Sequence, residues 1–507
     1  MSTYKSFYRN SIMFILFCQI CAAQTQPQPL QSFGYIGVAD YLRSHPGQHI
    51  AADWDYLSVD PPPWDPNAVV SLQSTFQLLQ SNISPLNQPH PLKAFIDLGG
   101  VFWIQDLNSS DPNVYKLRDD AYDRWLKFID AQGSYFYPSQ IGQYVFAFTI
   151  ANEPTFHQIP MSDVQWAANL VKTSGFPNIP TAVVEAGNQV AGAEYLNRPL
   201  ADFVDWWGID YFGIHPSADS RVTDAMSHLR TLMAGLTHSQ KKLFNAIDGF
   251  YDSTIHACIG KGEMPGLAQA WFTMASDDPD MILTGVFLLT DLDQNSPGSA
   301  SLGAEVLEKH AHLWQAVQNR KTPLYQSHLE NVNCQTVSGW AWDSNQTDGS
   351  LLGTQGYTTN PAYLDIFVDS DFVRTFSAKL QQSTVSSDPI VGNGFHGFSI
   401  PLPDGAKNGI AHTVHVRISG TTTEIPGSPK QITCSNPTGY PGTQLASGRV
   451  NVPYSQSIWP FSNPEDYSFV LISGHLPAGL SINSQGVITG TPTASGSLFF
   501  SVRVGQV

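Results

Sequence analysis

Positive charge is scarce in this 507-residue chain, where 25 Lys and Arg stand against 42 Asp and Glu for a formal net charge of -17. Such a balance excludes nucleic acid as a partner and makes an anionic membrane surface little better. Long apolar runs are missing too. The run at 12–21 is too short to cross a bilayer comfortably. Lys5 and Arg9 precede it, and Ala22 and Ala23 follow it as a small-residue cleavage site, so residues 1–23 read as a secretory signal. No membrane insertion is expected, and the mature chain is expected to be secreted or periplasmic, with cell-surface association compatible with either. Cysteine is rare: of five, Cys18 and Cys21 leave with the signal, and Cys258, Cys334 and Cys434 remain. Their spacing matches no zinc or iron–sulfur site. No Gly-x-Gly-x-x-Gly follows the first strand-like run and no phosphate loop is present, so no cofactor is expected. No Gly-x-Ser-x-Gly elbow offers a serine nucleophile, and the Asp291-Leu-Asp-Gln294 spacing matches no calcium loop.

What the chain has is aromatic surface, with 12 Trp, 19 Tyr and 28 Phe. Such rings build cores and also stack on flat, weakly charged ligands such as sugars. A chain of this length holds a barrel-sized unit with smaller ones attached. Over residues 24–322, apolar strand-like runs at 33–37, 49–53, 92–97, 144–150, 181–185, 211–215, 243–248 and 283–290 alternate with helix-patterned segments at 69–80, 119–130, 161–172, 201–207, 223–236, 265–276 and 302–320. Eight β-α units point to a (β/α)₈ TIM barrel, with an open doubly wound sheet as the alternative. Several runs end in polar residues, namely Asp53, Asp97, Asn152 with Glu153, Glu185, His215, Asp248 and Asp291. In a barrel, strand C-terminal ends share one rim. The fourth run carries the clearest signal, because the buried-strand pattern of 145–150 leads directly into Asn152, Glu153 and Pro154. A carboxyl at the mouth of a core is partly desolvated, which fits it to donate a proton near neutral pH.

Asn152-Glu153-Pro154 on the fourth strand resembles the clan of retaining glycoside hydrolases on (β/α)₈ barrels, which includes cellulases and mannanases. The resemblance implies that Glu153 is the general acid/base, that Asn152 contacts the sugar 2-hydroxyl, and that His215, followed by Pro216, serves the site from the sixth strand. It also implies a Glu nucleophile ending the seventh strand, where this chain has Asp248, and a Trp on the eighth strand, where 286–289 has none. Asp248 is one methylene shorter than the Glu it replaces, and retention needs carboxyl groups about 5–5.5 Å apart. Glu185 on the fifth strand and Glu263 after the seventh are the alternative nucleophiles. The aromatic residues Trp54, Trp64, Trp103 and Tyr251 fall beside strand ends and are candidates for stacking on substrate.

The helical pattern stops after residue 322, and 330–436 reads as short alternating strands of an accessory β-sandwich. Gly339-Trp-Ala-Trp-Asp343 resembles the opening motif of small β-sandwich modules of secreted bacterial proteins, with Trp340 and Trp342 expected in its core. Cys334 and Cys434 lie near the ends of this unit and are paired as a disulfide, leaving Cys258 as a buried thiol. Residues 443–507, with the 476–492 motif, resemble the immunoglobulin-like repeat of bacterial surface proteins, a structural spacer whose Ile488 packs inward. The function expected is a secreted glycoside hydrolase cleaving a β-linked polysaccharide or oligosaccharide by a two-carboxylate, retaining mechanism. The alternative is a catalytically degenerate barrel that binds glycans or surface partners.

Overall fold

A computed structural model describes residues 30–48, 50–58, 66–252, 255–256, 259–287, 289, 297–319, 324–344, 350–353, 360–381, 394–403, 406–407, 409–434, 445–458, 467–474, 476–493 and 500–506. The segment expected to be a signal, Trp64, Cys258 and Asp291 lie outside them.

Eight parallel strands close a barrel: β1 (Ser32–Ile36), β2 (Trp54–Ser58), β3 (Lys93–Asp97), β4 (Val145–Asn152), β5 (Thr181–Ala186), β6 (Trp206–Asp210), β7 (Lys242–Asp248) and β8 (Met281–Phe287). Every residue of β5 is buried, as in a strand covered by helices outside and by other strands' side chains inside. An aromatic layer fills the lumen. The Phe95 ring lies 5.4 Å from Trp54, 6.1 Å from Phe146, 6.3 Å from Trp206 and 6.0 Å from Phe244, so five strands meet around one ring. Trp54 lies flat across the inner wall because Gly34 on β1 and Gly285 on β8 carry no side chain. A Cβ on Gly34 would stand 2.2 Å from the indole, and one on Gly285 2.6 Å from it.

Two strands sit later or earlier in the chain than their apolar runs suggest. The second is Trp54–Ser58 rather than 49–53, which places Asp53 at the barrel's opposite end from the strand C-termini. There it accepts from Phe33 N–H at 2.9 Å, Trp314 Nε1 at 3.1 Å and Gln318 Nε2 at 2.7 Å, and pairs with His90 at 2.9 Å. The sixth is Trp206–Asp210 rather than 211–215, and 201–207 is loop and strand rather than helix. Its start is fixed by Asp205, which is buried, pairs with Lys172 and accepts from Thr181 N–H at 3.0 Å. A full helix is also missing between β5 and β6, where the described chain forms only the short turns Gly187–Val190 and Ala193–Asn197.

The second unit has a three-stranded and a four-stranded antiparallel sheet, packed over Leu329, Val337, Leu364, Ile366, Val414 and Val416. Cys334 and Cys434 are joined by a disulfide. Trp340 and Trp342 form a small apolar cluster of their own, apart from the main sandwich core in which they were expected. This unit docks on the barrel through the helices α1 (Met264–Ser276) and α2 (Ala304–Gln318). Gln269 and Tyr363 exchange two side-chain-to-backbone hydrogen bonds of 3.0 Å. Lys309 donates to Asn360 Oδ1 and Pro361 O, each at 2.7 Å. With this cover, nearly every residue of α1 is buried. The third unit pairs Tyr454–Ser457, Val487–Gly490 and Leu480–Ile482 in one sheet and Tyr467–Gly474 with Phe500–Gln506 in another, with Ile488 buried as expected. Among the described residues no helix is long and apolar enough to cross a membrane.

Candidate active site

β4 ends in Asn152, and the chain turns through Glu153 and Pro154. Glu153 takes a left-handed conformation, φ 47°, which for such a residue costs of order 1–3 kcal/mol and persists only when its surroundings impose it. They do so here. Glu153 N–H donates to Val184 O at 2.7 Å, and His157 N–H donates to Glu153 O at 2.9 Å. Glu185, fully buried on β5, accepts from the Thr155 amide at 3.2 Å, the Thr155 hydroxyl at 2.9 Å and the Tyr195 hydroxyl at 3.0 Å. Glu185 thus anchors the loop that carries Glu153 and is committed to that task, not presented to a ligand as the alternative nucleophile would be.

Asp210, the last residue of β6, is close enough to Glu153 for the two carboxyl groups to influence each other's ionisation. Asp210 stands level with Ala186 on β5 and Ala246 on β7, two small neighbours that leave room for its side chain at the barrel mouth. Burial, and then the charge of Glu153, hold Asp210 well above the usual carboxylate range. Glu153 is raised as well, by burial, with His157 and then Asp210 pulling against the rise. Two neighbouring carboxyl groups do not both ionise readily, in keeping with the upward direction at each.

At the barrel mouth lies a cavity of about 80 Å³, lined by Asn152 and Asp210 near the strand ends and by Trp54, Phe95 and Phe244 at the level of the aromatic layer, with Glu153 beside Asn152 but not among its walls. Trp54 leans over Gly285 of β8, so an indole from β2 covers the part of the wall where the eighth strand has no Trp of its own. Asp248 ends β7 on the same rim but does not line this cavity, and it is 1% exposed. Its Oδ2 accepts from Gly213 N–H at 3.1 Å, and its Oδ1 lies 3.4 Å from His256 Nε2. Burial raises Asp248, while His256 and the Gly213 amide oppose the rise. For His256 burial pulls the imidazole down, and Asp248 together with Asp252 outweighs it and leaves the imidazole raised.

The other expected residues lie elsewhere. His215 follows β6 in a loop and is buried against the sandwich, with Nε2 at 2.9 Å from Thr375 Oγ1 and 3.2 Å from Ser419 Oγ, and its ring stacked on Phe372. It joins two domains and does not reach the cavity. Glu263 accepts from Gly260 N–H at 2.6 Å just before α1, a helix-capping arrangement. Trp103 is 5% exposed and spends its indole N–H on Ile150 O at 2.8 Å. Tyr251 packs on His256, 5.4 Å between ring centroids, and is not among the cavity's walls. Asp210 is the residue that sequence reasoning missed. Its signal was present, since Trp206-Trp-Gly-Ile-Asp210 is an apolar run ending in an acid, the same pattern that marks Glu153. Among the described residues no group of three or more His, Cys, Asp or Glu is placed to hold a metal ion.

Burial pushes Glu185 up to about 7, against the hydrogen bonds from Thr155 and Tyr195. A folded-state value above the ordinary 4.5 means that the stabilisation is complete below that ordinary value and is lost as pH rises through about 7. Wild type is therefore expected to lose stability relative to Glu185→Gln across this window, read as urea midpoints on either side of it. Parallel profiles for the two proteins would show that Glu185 does not carry the proton.

Residues 433–507 match the family model described as Putative Ig domain. Among solved structures, the chain is similar to a glucosidase from Croceicoccus marinus, at 10% identity over 74% of this chain and 95% of that one, with a TM-score of 0.38. It is also similar to an endo-beta-1,4-mannanase from Thermotoga petrophila, at 10% identity over 81% and 98%, TM-score 0.36. A modular endo-beta-1,4-mannanase from Cellulomonas fimi follows at 10% identity over 80% and 94%, TM-score 0.35. No curated protein matches the chain.

Proposed function

We propose that this protein is a secreted glycoside hydrolase acting on a β-linked polysaccharide or oligosaccharide at the C-terminal mouth of its barrel. The observation that carries the reading is an aromatic-walled cavity at the strand C-terminal ends lined by Asn152 and Asp210, with Glu153 next to Asn152 at the end of β4 and Asp248 at the end of β7, the strand beside β6. Glu153 protonates the glycosidic oxygen as the bond to the anomeric carbon breaks. Asp248 supplies the second carboxylate, as nucleophile in a retaining mechanism, and Glu153 then deprotonates the water that releases the sugar. Asn152 holds a hydroxyl beside the reacting carbon, and Trp54 forms the floor. The domain division at 24–322, 330–436 and 443–507 belongs to the same proposal, with the two β units as accessory modules.

One observation favours a second reading, a barrel that binds glycans without turning them over: the Asp248 carboxylate is buried against Gly213 and His256 and does not line the cavity. Incubating the purified full chain with a panel of polysaccharides and aryl glycosides separates the two. Release of reducing sugar supports the hydrolase, and saturable glycan binding with no release supports the second reading. Neither binding nor release on any glycan sinks both.

A further inference from the structure

Building on the reading that the substrate is a glycan, we infer that the barrel cavity is a subsite for one neutral sugar unit, with Tyr56 and Trp54 as its specificity-determining residues, each donating a hydrogen bond to a sugar oxygen. β2 places both of them there. Trp54 meets Phe95 and Phe146 inside the lumen, and Tyr56, two residues on, shares that face and meets Phe95 at 5.5 Å between ring centroids. Asp55 between them points the other way and accepts from the amides of Gly37, Val38 and Ala39 at 2.9–3.0 Å. The outer face of β2 is thus engaged, and the polar atoms of the inner face are not. Trp54 Nε1 and Tyr56 Oη are both buried, and neither meets a hydrogen-bond partner within the protein. Both residues line the cavity. A buried donor without an acceptor is costly, so two of them around one small cavity mark it as built for something that accepts from both.

The walls select among ligands. A volume of about 80 Å³ has room for several water molecules, hence for a ring substituent and one edge of a sugar ring. Phe95 and Phe244 offer aromatic faces to the C–H side of such a ring, and Asn152 and Asp210 offer polar groups near the rim. An apolar ligand would leave both donors unmet. An anion would meet the negative charge that Asp97 and Asp210 direct at Tyr56. A cation would face an N–H and an O–H donor, and an Asp210 that burial keeps from ionising readily. A neutral polyol with apolar faces matches every wall, and a sugar is such a molecule. Because Asn152 is one of the walls and Glu153 is the next residue in the chain, the bound unit lies beside the proposed proton donor. Tyr56 and Trp54 decide which sugar is held there, not how its bond is broken.

The test pairs Tyr56→Phe with deoxygenated sugars. The full wild-type chain is titrated calorimetrically with glucose, mannose, galactose, xylose and N-acetylglucosamine, and the tightest binder is then replaced by its monodeoxy forms. Tyr56→Phe keeps the ring against Phe95 and is expected to weaken binding of the parent sugar by about 2–10-fold. For one monodeoxy form, wild type is expected to lose the same factor and Tyr56→Phe to lose nothing further. Independent losses at every position overturn the role of Tyr56. In wild type isotope-labelled at the indole nitrogens, the Trp54 resonance, identified by its loss in Trp54→Phe, is expected to shift when the same sugar is added. An unmoved resonance at saturation overturns the role of Trp54, and binding of none of these sugars overturns the subsite. If Tyr56→Phe does not fold, the wild-type deoxy series and the Trp54 resonance decide, and a series with no loss at any position counts against the subsite. Sugar binding with these signatures but no cleavage of any glycan would leave the subsite standing without the hydrolase. Cleavage without the signatures would do the reverse.

Discussion

Glu153→Gln is expected to lower kcat/KM by about 10²–10⁴-fold on a glycoside with a poor leaving group, the range for loss of a positioned general acid. The loss should shrink on an aryl glycoside whose acidic phenol leaves without protonation. Gln keeps the shape of the side chain, so the folded protein and its glycan affinity should change little. The dependence on leaving group separates proton donation from nucleophilic attack. Asp248→Asn, by contrast, should depress turnover on both substrates alike if Asp248 bonds to the anomeric carbon. Unchanged turnover in Glu153→Gln on both substrates would remove Glu153 from the chemistry.

Trp54→Ala is expected to destabilise the barrel by about 3–5 kcal/mol, read from urea unfolding. Trp54 is 3% exposed and stacks on Phe146 with an interplanar angle of 12°. It also fills the space over Gly34 and Gly285, neither of which has a side chain to close the gap. The neighbours therefore cannot collapse into the void, which places the cost at the upper part of the range. Trp54→Phe should recover much of the loss, because it restores the contact with Phe95 while leaving the far end of the wall bare. A loss of under about 1 kcal/mol for the Ala variant would show that the aromatic layer is not what holds the barrel closed.

The barrel itself was legible because strand runs and helix patterns alternate eight times, and six of the eight strands fall where their apolar runs are. The fourth was the clearest, since Val145 to Ala151 is almost wholly buried and the change to polar residues at Asn152 is abrupt. The two misplaced strands failed for a shared reason: each has an apolar run on both sides of its true boundary, and hydrophobicity alone does not choose between them. For the sixth strand the error had a functional cost, because moving it to 211–215 turned Asp210 into a connecting residue and promoted His215. What settles the register is a set of contacts distant in sequence, Asp205 with Lys172 and with Thr181. Likewise, nothing near His215 in sequence announces that Thr375 and Ser419 will surround it.

The docking of the sandwich on α1 and α2 also bears on whether the barrel can be separated from it. Cutting it near residue 322 would strip the cover from a helix buried along nearly its whole length and leave Gln269 and Lys309 without the partners they have in residues 360–363. A barrel expressed alone would present an apolar face studded with unmet polar groups, a surface prone to self-association. Barrel and sandwich are thus two domains by topology but one unit for expression and inheritance.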